Sequence, residues 1–106
     1  MKAILQGTTP TIVFNFANTG LDVSDLTAAE LTVTSQTYKL TKTKSQMTVD
    51  TGNNKLSYHF TEAETLALSY VSNAYYQLYV EIDGEIYGTQ KTLCDIFQDI
   101  KGGAMA

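Results

Sequence analysis

Arginine and tryptophan are absent from this chain of 106 residues, and proline, cysteine and histidine occur once each. Each absence removes a class of function. Without arginine the planar fork that clamps phosphate and reads guanine is missing, and the net charge is −4. Such a chain has little with which to neutralise nucleic-acid phosphates, so no nucleic-acid partner is expected. With Cys94 alone no intramolecular disulfide can form, and a single thiol near a strand end reads as a small buried apolar group. Structural zinc sites use four Cys or His ligands, and His59 has no second His or Cys nearby in sequence. His59 is also the one candidate base, on the polar phase of its strand, so no nucleophile–base grouping is legible and no enzyme is expected. No apolar run approaches the ~20 residues that span a bilayer. "MKAIL" stops at Gln6 and Gly7 before a signal-peptide core forms. A soluble protein with no membrane partner is expected.

What the chain does have is alternation. Hydrophobic residues make up 43% of it, ordinary for one globular domain. They recur at period two. Ile12, Phe14 and Phe16 point one way, and Thr11, Val13 and Asn15 the other. Leu31 and Val33 sit between Glu30, Thr32 and Thr34. Leu56, Tyr58 and Phe60 alternate with Lys55, Ser57 and His59, and Tyr76, Leu78, Val80 and Ile82 with Tyr75, Gln77, Tyr79 and Glu81. Sheets covered on one face require this pattern. Turn residues fall between the runs, in "NTG" (18 to 20), "DTGNN" (50 to 54) and "IDGE" (82 to 85). "DLTAAE" (25 to 30) opens as a turn, with clear strand from Leu31. One helical piece interrupts. In "TEAETLAL" (61 to 68), Thr61 and Glu64 form a capping box, which predicts a short helix crossing between sheets. The fold class expected is all-β, an immunoglobulin-like sandwich of about seven strands with one short helix near 61–68. Residues 1–101 make a single domain and 102–106 a flexible C-terminal tail.

The "IDGE" turn admits two registers. A two-residue loop sets Val80 across from Tyr87 and Ile82 across from Glu85. A turn with a glycine bulge shifts the second strand by one and brings Ile86 inward. Burying Ile86 and wetting Glu85 favours the bulged form.

Polar clusters read mostly as turn chemistry. "GTTP" (7 to 10) lacks the Gly-Lys-Ser/Thr of a phosphate loop and no helix begins there, so it reads as the corner from which a strand starts. Glu81, Asp83 and Glu85 gather at a hairpin tip, and Asp22 and Asp25 share a loop. Neither has the ligand spacing of a calcium hand, and no metal or cofactor is implied. Lys39, Lys42 and Lys44 read as a solvated edge that discourages sheet-to-sheet sticking. Tyr75 and Tyr79 fall on the phase opposite Leu78 and Val80, and Tyr87 is grouped with them. Tyrosine buries much area at little entropic cost, which makes these three the candidate interaction surface.

"ILQGTTPTIVFNF", "LTAAELTVTSQ", "KLSYHFTEAETLAL", "YQLYVEIDGEIYGTQ" and a closing "DIKGG" follow one another in an order that resembles small structural proteins of phages and prophages of Gram-positive bacteria. Those proteins open on an "I-x-Q-G-T-T-P-x" segment, carry a central "T-x-x-E-T", and follow it with a "Q-L-x-V" strand and a "DG" hairpin. More distantly the chain resembles the N-terminal domain of baseplate upper proteins. The resemblance implies a non-enzymatic virion part, tail- or baseplate-associated, made in the bacterial cytoplasm and assembled through other virion proteins or its own copies. Phage tails also need adhesins, so host-surface carbohydrate is the alternative partner. The family supplies no catalytic residues to carry over.

Overall fold

The computed structural model describes residues 3–36, 38–68, 74–89 and 92–97. The expected tail at 102–106 and the side chain of Cys94 lie outside what is described. Among the described residues nine strands and one α-helix follow in order: β1 (Ala3–Leu5), β2 (Thr11–Asn15), β3 (Leu26–Ser35), β4 (Tyr38–Thr43), β5 (Thr48–Asp50), β6 (Lys55–His59), α1 (Glu62–Leu66), β7 (Ala74–Ile82), β8 (Glu85–Gly88) and β9 (Thr92–Phe97). They form two sheets. The larger runs β1-β9-β7-β3-β4, with β8 also paired to β7, and the smaller runs β2-β6-β5. β1 and β9 pair in parallel, and the other described pairings are antiparallel. This is the expected all-β sandwich of two packed sheets, with nine described strands where about seven were expected. The three-residue β1 and β5 are too short for alternation to betray them.

Alternation sets which residues are buried. Leu31, Val33, Leu78 and Val80 of the large sheet meet Ile12, Leu56 and Tyr58 of the small one, with Phe60 beyond the end of β6, and all are buried. Each fully buried side chain of this size contributes about 1.5–3 kcal/mol relative to an exposed one. Phe14 and Tyr76 meet edge to face across the layers, ring centroids 6.2 Å apart. This contact joins the second strand to the strand after the helix, where antibody domains place their inter-sheet disulfide.

Two local expectations need correction. The turn at "DLTAAE" is confined to a short 3-10 turn at Val23–Asp25, capped by Asp22, and β3 starts at Leu26 rather than Leu31. A bulge between Leu26 and Ala28 shifts the phase, so that Leu26 and Ala29 both face the core three residues apart. The hairpin is the second correction. Ile82 pairs with Glu85 and Val80 with Tyr87, the two-residue register rather than the bulged one. Asp83 and Gly84 both take positive φ, 53° and 80°, as a type I′ turn requires. That turn matches the twist of its strands. The bulged register gains nothing here, because all four β8 residues are exposed and no burial awaits Ile86.

Thr61 caps α1 as expected. Its hydroxyl accepts from the Glu64 N–H, and the Glu64 carboxylate accepts from the Thr61 N–H at 2.9 Å. The helix carries the chain from the small sheet to the large one. "GTTP" is the matching corner at the other end, where the chain leaves β1 of the large sheet for β2 of the small one. Gly7 turns there at φ 76°. Its N–H donates to Thr65 Oγ1 at 3.0 Å, and the same hydroxyl donates to the Thr8 carbonyl at 2.7 Å. Corner and helix are therefore pinned together by one buried threonine.

Candidate protein interface

β7 divides its tyrosines by phase. Tyr76 faces the core, whereas Tyr75 and Tyr79 stand on the outer face, 37% and 44% exposed. Tyr75 lies across from Thr34, and Tyr79 lies between Glu30 on β3 and Gly88 on β8. The adopted register adds a residue that the expected glycine bulge assigned to the core. Ile86 sits across from Glu81 on this outer face, diagonal to Tyr79, and is 74% exposed. Ile86, Tyr79, Ala28, Glu30, Glu81 and Lys44 line a shallow groove of about 380 Å³. Among the exposed large apolar side chains of the described residues, Ile86 stands furthest into water. The Asp-Gly pair, taken at its type I′ preference, was the sequence signal that could have revealed it.

Tyr87 does not join Tyr75 and Tyr79. Paired with Val80, it takes Val80's side of the sheet, opposite to its expected phase. There it lines the opening between the layers with Val13, Phe14, Phe16 and Leu21, a cleft of about 360 Å³. Its hydroxyl donates to Glu85 Oε2 at 3.1 Å. The hydrogen bond to that carboxylate raises its pKa. The three candidate tyrosines thus serve two surfaces, the outer face and the cleft mouth.

His59, Asp22 and Asp50 have local partners. His59 is exposed on β6, with Nδ1 2.9 Å from the hydroxyl of Thr11, its cross-strand neighbour. Asp22 receives the Ser24 N–H and hydroxyl, at 2.9 and 2.8 Å. These bonds hold its carboxyl below the usual range, the backbone bond contributing most. Asp50 is lowered likewise, by the Asn53 side chain first and then its N–H. Among the described residues no three His, Cys, Asp or Glu side chains group as metal ligands. No described helix is long and apolar enough to cross a membrane.

The lysine run is less solvated than expected. Lys42 turns inward, its ammonium 2.8 Å from Glu64 Oε2 and its side chain 19% exposed. Lys44 donates to the Leu26 carbonyl at 2.8 Å. Their alkyl stems cover the side of the sandwich while the charges find oxygen partners. Lys39 alone of the three keeps the exposed position foreseen for an edge.

The sequence matches no protein-family model and no curated protein.

Proposed function

We propose that this protein is a non-enzymatic structural component of a phage or prophage virion, tail- or baseplate-associated, that works by docking other virion proteins. The observation that carries the reading is the Tyr79–Ile86 face. It offers apolar area on the rigid β7–β8 arm, rimmed by Glu30, Glu81 and Lys44, which is the anatomy of a modest interface with an apolar centre and a charged border. The order of the GTTP corner, capped helix and Asp-Gly hairpin supports the virion setting by its resemblance to phage structural proteins. Mass spectrometry of purified particles from the producing strain tests it. The chain is expected at a fixed stoichiometry with tail proteins, and its absence from particles overturns the reading.

A second reading is favoured by Tyr75. Beside it on the outer face lie Thr32, Thr34 and Gln77, around a small depression of about 230 Å³. A ring flanked by hydroxyls and an amide is the chemistry that stacks and hydrogen-bonds a sugar. Binding to host cell-wall material that Tyr75→Ala abolishes and Ile86→Ser leaves intact would favour carbohydrate recognition over docking.

A further inference from the structure

Among the described residues the large sheet ends in three strand edges, at β1, β8 and β4, and the last two complement each other. In the two-residue hairpin, Ile82 and Glu85 form the closing pair. Glu85 and Tyr87 therefore turn their backbone groups toward β7, and Ile86 and Gly88 turn theirs outward. Thr89 keeps the alternation, its N–H donating to the Leu78 carbonyl at 2.9 Å. On the far side of the sheet, Ser35 and Tyr38 close the β3–β4 hairpin. There Tyr38, Leu40 and Lys42 bond to β3, while Lys39 and Thr41 present N–H and C=O groups to solvent. One edge carries Glu81, Asp83 and Glu85 around its hairpin tip, and the other carries Lys39, Lys42 and Lys44.

We propose that these edges join two copies of this chain, β8 of one copy pairing antiparallel with β4 of the next, Ile86 opposite Thr41 and Gly88 opposite Lys39. Direction, face and charge agree in this register. β8 is antiparallel to β7, β7 to β3 and β3 to β4, so β8 runs opposite to β4 and copies in the same orientation meet correctly. Ile86 and Thr41 both lie on the outer face. Tyr87 and Leu40 both lie on the inner one, so the cleft-side tyrosine gains an apolar neighbour. Glu85 comes opposite Lys42 as a second carboxylate beside Glu64, and the acidic tip comes toward Lys44, whose ammonium already donates to the Leu26 carbonyl. Two β4 edges brought together would oppose lysine to lysine. Lysines on an edge strand thus reject their own kind and admit an acidic one. The contact is head-to-tail, so it propagates from copy to copy instead of stopping at a pair. It shares Ile86 with the docking face proposed above, but it rests on the backbone edges and charges of β4 and β8 and not on the virion setting.

Single proline substitutions separate the edges. Ile86→Pro removes an N–H that points away from β7, and Thr41→Pro removes one that points away from β3, so each leaves its own hairpin ladder intact. Sedimentation velocity of the wild type at low salt is expected to show mass rising with concentration without a plateau at two copies. Salt of about 0.5 M should weaken association by about tenfold. Each proline variant alone is expected to be a monomer. Their equimolar mixture is expected to form one-to-one pairs and nothing larger, since one retains a working β4 and the other a working β8. Glu85→Lys, at an exposed position, is expected to weaken wild-type association about tenfold with its unfolding midpoint unchanged, and it keeps the test available should a proline variant fail to fold. A wild type that stays monomeric overturns the proposal. So does a closed dimer sensitive to Ile86→Pro alone, which would mean two β8 strands pairing about a two-fold axis. Proline variants that do not complement each other, or a Glu85→Lys variant that associates normally, overturn it as well.

Discussion

Tyr79 lays its ring over Gly88. A Cβ built on Gly88 would stand 2.9 Å from Tyr79 Cε1 and 3.0 Å from Cδ1, closer than packed carbons come. The aromatic face covers the backbone of a strand residue that has no side chain of its own, an arrangement that supports glycine in antiparallel sheets. It also fixes the ring beside Ile86. Gly88→Ala is expected to swing Tyr79 outward at a cost below about 1 kcal/mol, since the ring is half in water and free to move. Ring proton shifts of Tyr79 by NMR, with urea unfolding alongside, check this. Unchanged shifts would mean that the ring does not rest on Gly88.

Ile86→Ser separates docking from stability. With 74% of its surface already in water, the side chain contributes little to the core, and unfolding free energy is expected to change by less than about 0.5 kcal/mol. Co-sedimentation with purified tail proteins should nonetheless fall. Binding unaffected by the substitution moves the interface away from the Tyr79–Ile86 face.

Thr65 is fully buried, and its hydroxyl serves both the Gly7 N–H and the Thr8 carbonyl. Thr65→Val keeps the volume and removes the oxygen, leaving those groups without their partner at the sheet-switching corner. A loss of about 2 kcal/mol in urea unfolding is expected, with Thr65→Ser retaining most of the wild-type value. A Thr65→Val variant as stable as the wild type, with the loss confined to Thr65→Ser, would assign the effect to the methyl group.

The strands with one buried face were legible, because Ile12, Leu56, Leu78 and their period-two companions have no other way to share a side. The capping box at Thr61 was legible too, since two side chains three residues apart satisfy each other's backbone locally. What failed depended on distant chain. Ile86 was assigned to the core because it is apolar, yet whether the small sheet covers β8 is decided by where β2 and β6 lie. Leu26 broke the phase of its own strand through a bulge that no residue type announces. The inward turn of Lys42 depends on Glu64, 22 positions away in the chain. The exposed Tyr79–Ile86 face emerged only with the hairpin register, since moving β8 by one residue exchanges Ile86 and Tyr87 between the two sides of the sheet.

Glu64 is where these long-range contacts converge, and it gives the fold an acid limit. Its Oε1 accepts from the Tyr58 hydroxyl at 2.5 Å and the Thr61 N–H at 2.9 Å, and its Oε2 meets Lys42 at 2.8 Å. Partial burial pushes the carboxyl's pKa up, but the bonds from Lys42, Tyr58 and Thr61 outweigh it and leave the group below its ordinary value of 4.5. Tyr58 responds in the opposite sense: burial, and then the neighbouring carboxylate, raise its pKa and keep its hydroxyl a donor. On acidification the unfolded chain takes up the Glu64 proton first. The contribution is therefore complete above about pH 5 and disappears as pH falls through the lowered folded value. Glu64→Gln keeps one oxygen as acceptor for Tyr58 and Thr61 and replaces the charged acceptor facing Lys42 with an NH2 donor. Its unfolding midpoint in urea is expected to lie below that of the wild type at pH 7, with a flatter decline into acid, and the gap between the two curves should narrow as pH falls through the lowered folded value. A variant that declines as steeply as the wild type would shift the acid limit to Asp22 and Asp50, whose carboxyls are also held low by their turns.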